Sequence, residues 1–319
     1  MRALVIASAL ALLSCGGEGG LDSAAASERA PILDGELAPD ATSVVAVVDF
    51  AGGQCSGSLL APNLVLTARH CIASSADDTT AVRCDQTQLE SPDSAGAVFV
   101  VPLPTISNDP ADYHAVRAIR TPEGASSLCG SDVALLELKS GLSLPSLTPR
   151  LDSPLLPGEA YSALGYGVDG TQARGPGGIR RSLAGLAVEC VGAGCEDPEV
   201  YDNEWVGPGG ACSGDSGGPA LDAEGRVTGV LSRGKDGCLE PIYAHVYAYA
   251  DWLRAVALSA ADAGHYDAPA WACPDCPVKP EKSLDSGCAL RPPPRRFAPL
   301  PLALIAVFAA AAVARRRRG

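Results

Sequence analysis

Aromatic residues are scarce in this 319-residue chain: 4 Phe, 3 Trp and 8 Tyr make up 5% of it. Ring packing alone cannot fill a core at that level, so the core must lean on Val, Leu and Ala and on ties between cysteines. Basic charge is scarce too. The formal net charge is −13, and residues 291–319 hold seven arginines and no acid, so residues 1–290 carry 17 basic against 37 acidic groups, a net of −20. That balance excludes an electrostatic footprint for nucleic acid or for an anionic bilayer, and no nucleic-acid partner is expected. Helical periodicity is nearly absent. Only residues 247–258 repeat apolar side chains (Tyr249, Trp252, Leu253, Val256) at three- and four-residue steps. A second CxxC is missing as well. Cys273 and Cys276 stand alone at that spacing, which excludes a Cys₄ zinc site made of two such pairs and favours a small structural disulfide. Neither a metal nor a cofactor is expected.

What is present is an all-β rhythm. Short apolar or alternating runs at residues 44–50, 64–67, 98–102, 133–138, 227–231 and 242–246 fall between Gly, Pro and Asp punctuation.

Two motifs carry chemistry. Ser216 stands in Gly214-Asp215-Ser216-Gly217-Gly218-Pro219, and His70 in Thr67-Ala68-Arg69-His70-Cys71. A serine hydroxyl attacks an acyl carbon only when a neighbouring imidazole takes its proton. Glycines on both sides let the backbone turn sharply and leave main-chain N–H groups free to hold an oxyanion. A carboxylate should complete the set. Asp132, leading the apolar run 133–138, is placed at the mouth of a buried strand. The chain order His, Asp, Ser matches the chymotrypsin arrangement and differs from that of subtilisins and α/β-hydrolases.

At these three segments the chain resembles the trypsin/chymotrypsin family of serine endopeptidases, and the resemblance covers about residues 32–256. It implies two antiparallel β-barrels with the triad in the cleft between them and a C-terminal helix. It also implies that the substrates are proteins or peptides, that His70 is the general base and that Asp132 orients it. By the same resemblance Ser216 is the nucleophile, the N–H groups of Gly214 and Ser216 form the oxyanion hole, and Ser232 bonds the catalytic aspartate. Residues 232–234 match the segment that pairs with substrate backbone. The base of the specificity pocket falls at Gly210, with no acid to receive Arg or Lys. Gly234 leaves one pocket wall open, Pro241 stands where the family usually has a wall glycine, and Arg233 replaces a usual aromatic at the rim. Small or medium apolar side chains are therefore expected before the scissile bond. A trypsin-fold module without catalysis, serving as a surface binding unit, is the alternative.

In the family a freed N-terminus inserts against the aspartate before the nucleophile, which puts Ile32 and Asp215 in those roles. Pro31 precedes Ile32 and is a poor cleavage point, so an unusual processing protease or later trimming is called for. The resemblance pairs Cys55 with Cys71 and Cys212 with Cys238; Cys190 with Cys195 closes a tight loop, and Cys84 with Cys129 is the remainder.

Both chain ends read differently. Residues 1–14 have a single basic group, Arg2, and an apolar stretch, the architecture of an export signal. With Cys15 they resemble a bacterial lipobox, the alternative being an ordinary signal cut near Ala24 to Ala26. Residues 15–31 are then a pro-segment or tether, 32–259 the protease domain and 260–296 a Pro-rich stalk. Residues 297–319 hold an apolar run closed by Arg315 to Arg318, marginal for spanning a bilayer. Preceded by Cys288, this end resembles a myxobacterial-type sorting tail; a plain membrane anchor is the other reading. Each reading exports the domain to the cell envelope or surface.

Overall fold

The computed structural model describes residues 32, 35–74, 83–84, 87–124, 126–168, 177–235 and 237–274. The export signal, the tether, Cys15, Cys288 and the C-terminal apolar segment lie outside the described residues. Among the described residues no helix is long and apolar enough to cross a membrane.

Six antiparallel strands close a barrel in the order Val44–Asp49, Gln54–Ala61, Leu64–Thr67, Ala134–Leu138, His114–Arg120 and Val98–Val101, the last pairing back to the first. Its interior is aliphatic: Val45, Val47, Leu59, Val65, Val100, Val116 and Leu136 pack there with Cys55, Cys84 and Cys129. No aromatic side chain is among the buried residues of that core, as the composition requires. Each buried Val or Leu contributes on the order of 1.5–3 kcal/mol relative to exposure.

A second antiparallel sheet of eight strands runs Glu36–Leu37, Arg181–Ala187, Ala160–Gly165, Pro219–Leu221, Val227–Lys235, Leu239–His245, Glu204–Val206 and Cys190–Val191. The aromatics gather here. Trp205 stacks on Tyr243 with ring centroids 4.2 Å apart, and Tyr161 meets both rings edge-on. Gly229 must lack a side chain, since a Cβ would come within 2.6 Å of the Trp205 ring.

Among the described residues one α-helix, Ala250–Gly264, follows a 3₁₀ turn at Val246–Tyr249. Leu253, Ala257 and Ala260 lie on one face and pack with Leu60, Leu64, Leu66 and Leu135 of the six-stranded barrel. Small alanines let the backbones approach closely, and Asn63 Nδ2 donates to the Ala260 carbonyl at 3.2 Å. The helix ends where His265 turns left-handed at φ +55°. The packed body thus runs on past residue 259, because Ala260, Ala261 and Ala272 are buried. A closed barrel, a second sheet and a C-terminal helix make this the chymotrypsin-like architecture.

Four disulfides join Cys55 to Cys71, Cys84 to Cys129, Cys190 to Cys195 and Cys212 to Cys238. Cys273 is disulfide-bonded as well; Cys276, its expected partner, lies outside the described residues.

Candidate active site

His70 sits in a 3₁₀ turn, Arg69–Cys71, that follows the strand Leu64–Thr67. The Cys55–Cys71 bond ties this turn to the neighbouring strand and closes a 16-residue loop, worth about 3 kcal/mol in the chain-entropy account. Cys55, His70 and Cys71 lie within 4.8 Å of one another. Both sulfurs are committed to the disulfide, so the cluster is a staple and offers no thiolate to a metal.

Asp132 is fully buried just before the strand Ala134–Leu138. Its Oδ2 accepts from His70 Nδ1 at 2.7 Å and from Ser232 Oγ at 2.6 Å. Its Oδ1 accepts from the His70 main-chain N–H at 2.8 Å. Burial by itself would push both groups toward neutrality. For His70 the charge of Asp132 and the bond to it outweigh burial and hold the imidazole pKa above its ordinary value, against a smaller lowering by Arg233. For Asp132 the His70 and Ser232 contacts outweigh burial and hold the carboxyl below its ordinary range. This is the arrangement that favours an imidazolium once it has taken a proton.

Ser216 is brought against the same turn. Its carbonyl accepts from Ser56 N–H at 2.7 Å, and Gly217 N–H donates to Leu231 O at 2.8 Å, next to Ser232. A Cβ at Gly217 would fall 2.2 Å from Thr67 Oγ1 and 2.9 Å from Ala68 N, so only glycine lets the Ser216 loop lie this close to the histidine turn. The Ser216 hydroxyl and His70 Nε2 are not hydrogen-bonded here; such contacts commonly tighten when substrate fills the site. Among the described residues the N–H groups of Gly214 and Ser216 donate to no protein acceptor.

The remaining sequence candidates fall around this centre. Gly210 has φ +94°, and a Cβ there would come within 2.5 Å of Leu183 Cδ2, so any side chain at this position is strained. Pro241 lies across from Gly234, its Cα 3.4 Å from the position of a Cβ there. Arg233 is folded away from solvent onto Glu204, bonding both carboxylate oxygens at 2.6 and 2.8 Å, and reaches the Glu199 carbonyl. Glu240, the acid nearest the pocket in sequence, pairs with Lys235. His245 accepts from Leu155 N–H at 3.1 Å and is held neutral by burial, its pKa near 4, while His265 caps the helix.

Asp215 is almost fully buried. Its oxygens accept from Gly167 N–H at 2.7 Å and Cys212 N–H at 3.0 Å, but it has no cationic partner among the described residues. Burial pushes its pKa up to about 7 despite those two bonds. The folded value exceeds the unfolded one, so ionisation costs the folded state: stability is highest below about pH 4 and falls as pH rises toward 7, by roughly 4 kcal/mol in all. The uncut chain should therefore unfold at lower temperature at pH 8 than at pH 5, and Asp215→Asn should flatten that difference. Thermal melts at the two pH values check it; an equal slope in the variant would refute it.

Sequence reasoning missed four members of this neighbourhood, one of them Glu204 beneath Arg233. Ser56 is fully buried and bonds both Tyr166 N and Gly214 O, each at 2.9 Å. Tyr166 donates its hydroxyl to Leu103 O at 2.7 Å across the two halves. Arg180, 1% exposed, gives its guanidinium to the carbonyls of Ala38, Pro39, Val44 and Pro102 and to the Tyr166 hydroxyl. A serine two residues into a strand, or an arginine among carbonyls, leaves no mark in a single sequence.

Known proteins are similar to this chain in sequence. Trypsin alpha of Drosophila erecta is 26% identical over 250 residues, covering 73% of this chain and 90% of that protein. Trypsin delta of the same species is 28% identical over 215 residues, 63% of this chain and 76% of its own length. A shorter similarity, 40% over 50 residues, to Serine protease VLSP-3 of Macrovipera lebetinus spans 14% of this chain and 19% of that protein. The family model described as Trypsin matches residues 32–253, well over half of the chain and a region that contains His70, Asp132 and Ser216, so this chain belongs to the trypsin family of serine proteases.

Proposed function

We propose that the chain is an exported serine endopeptidase that cuts after small or medium apolar residues. The observation that carries the reading is the buried Asp132 bonded to His70 and Ser232, with the Ser216 loop packed on the same turn. As Ser216 Oγ attacks the substrate carbonyl carbon, His70 Nε2 takes its proton. The carbonyl electrons move onto oxygen, which the Gly214 and Ser216 N–H groups receive. Collapse of that adduct breaks the C–N bond, and His70 returns the proton to the leaving amine. Water then repeats the cycle on the acyl-enzyme.

An apolar preference follows from Gly210 and Leu183 at the pocket base and from Glu240 being engaged by Lys235. A lysine or arginine entering there would lose hydration with no counter-ion. Activation rests on Ile32 and Asp215. Ile32 is fully buried with Ala211 and Tyr243 and, though β-branched, is held at φ +46°. Cleavage before it would release that strain and supply an ammonium to the unpaired Asp215. Four disulfides in the catalytic domain suit an oxidising compartment outside the cytoplasm.

One experiment tests these points together. Intact cells are treated with membrane-impermeant peptidyl phosphonates that differ in the residue occupying the pocket, and the tagged protein is weighed. Ala, Val and Leu probes should tag Ser216 faster than Arg or Lys probes, on a chain beginning at Ile32 and lacking its arginine tail. No tagging by any probe, on cells or on purified protein, would sink the enzyme reading in favour of a binding module. Faster tagging by Arg probes would sink the pocket reading, and tagging only after lysis would sink export.

A further inference from the structure

The strand Gln54–Ala61 turns Gln54 and Ser56 to one face, and that face meets the loop carrying the oxyanion donors. Ser56 Oγ accepts from Tyr166 N–H at 2.9 Å and donates to the Gly214 carbonyl at 2.9 Å. Its main-chain N–H donates to Ser216 O at 2.7 Å, and its carbonyl accepts from Thr67 Oγ1 at 2.8 Å. One fully buried residue thus touches the nucleophile, the oxyanion loop and the segment leading into His70.

We propose that Ser56 is a positioning residue for the oxyanion hole: its hydroxyl, locked by Tyr166 N–H, holds the Gly214 carbonyl and so helps fix the Gly214–Asp215 peptide, the unit that links the peptide bearing the Gly214 N–H to the one bearing the Ser216 N–H. The inference rests on the serine endopeptidase reading above. A hydroxyl offers one donor, and Tyr166 N–H occupies its acceptor side, so the donor is directed at Gly214 O. On the other side of the glycine, Val168 N–H donates to Ser213 O at 2.8 Å. Each peptide unit is planar, so pinning the carbonyls of Ser213 and Gly214 leaves the intervening glycine a single conformation, φ +91°. Glycine has little preference of its own there, which is why the restraint has to come from outside. Packing forbids a bulkier solution. A Cβ on Gly214 would lie 2.9 Å from Gly167 Cα, and one on Gly218 would lie 3.2 Å from Ser56 Cβ.

Losing the Ser56 hydroxyl would leave the Gly214–Asp215 peptide held only by the Asp215 N–H bond to Cys212 O at 3.0 Å, and with that link loosened the oxyanion donors on either side would be aimed only part of the time. Substrate binding, which draws on the pocket walls and strand segment, would change little. The test compares wild type, Ser56→Ala and Ser56→Gly in kcat and KM for a peptide ester, in affinity for a peptidyl boronate that mimics the tetrahedral oxyanion, and in thermal unfolding. Ser56→Ala should lose roughly 10- to 100-fold in kcat with little change in KM, and boronate affinity should fall in proportion. Ser56→Gly leaves room for a bridging water, keeps the test available should the alanine variant not fold, and should lose less. Wild-type kcat and boronate affinity in either folded variant would overturn the proposal. So would a loss confined to unfolding temperature, or equal losses in KM and boronate affinity. A wild-type chain that neither turns over the ester nor reacts with a phosphonate would instead overturn the protease reading and this inference with it.

Discussion

Replacing Ser216 with alanine should lower kcat for peptide hydrolysis by about 10⁶-fold while the fold survives, because no other group can complete the acyl transfer. The Ser216 side chain makes no hydrogen bond among the described residues, and its main-chain contacts to Ser56 and the flanking Gly217 to Leu231 bond remain available. Initial rates and an unfolding curve on the same preparation give the result. The residual rate should still exceed the uncatalysed one, since the oxyanion donors and substrate positioning persist. Retention of wild-type turnover would mean that another hydroxyl attacks, and the exposed Ser213 would be the first to examine.

The site was legible in the sequence where its residues sit in short motifs. His70, Asp132, Ser216 and Ser232 lie in stretches whose neighbours are themselves constrained, such as Gly217, which has to lack a side chain to pass Thr67. Ser56, Tyr166 and Arg180 were not legible. Their bonds span 158 residues from Ser56 to Gly214, 110 from Tyr166 to Ser56 and 142 from Arg180 to Ala38, and nothing local marks a partner so distant. Glu204 was missed for the same reason, although it neutralises Arg233.

Strands divide along a similar line. Residues 64–67 were bounded correctly because an apolar run is cut by polar residues at both ends. The strand Gln54–Ala61 was hidden, since Ser56 and Ser58 are buried without being apolar: Ser56 hydrogen-bonds the loop that carries Ser216, while the Ser58 hydroxyl is buried without a partner among the described residues. The strand Arg181–Ala187 is half exposed along its length and carries Gly185, so it shows no clear alternation. At the C-terminus the periodicity began three residues early, in what is a 3₁₀ turn, and faded into Ala257–Ala263, where alanine gives no contrast between faces even though Ala257, Ala260 and Ala261 are buried.

Asp132→Asn should lower kcat by about 10⁴ with the fold retained, and the geometry says how. Asp132 Oδ1 faces the His70 main-chain N–H at 2.8 Å, a donor that cannot reverse. The asparagine carbonyl oxygen must therefore occupy that position, and its NH₂ takes the place of Oδ2, facing His70 Nδ1 and Ser232 Oγ. Ser232 can rotate its hydrogen away and accept. His70 can accept only by shifting its own proton to Nε2, the atom that has to receive the Ser216 proton. The variant thus holds the imidazole in the unproductive tautomer and also removes the charge that raises the His70 pKa. In wild type the acid limb of kcat/KM should lie above the ordinary imidazole range, since catalysis needs neutral His70 and its pKa is raised. In the variant that limb should move to lower pH while the plateau drops. A pH–rate profile of both proteins decides it: a full plateau in Asp132→Asn, or an acid limb that does not move, would mean that Asp132 neither sets the tautomer nor supports the imidazolium.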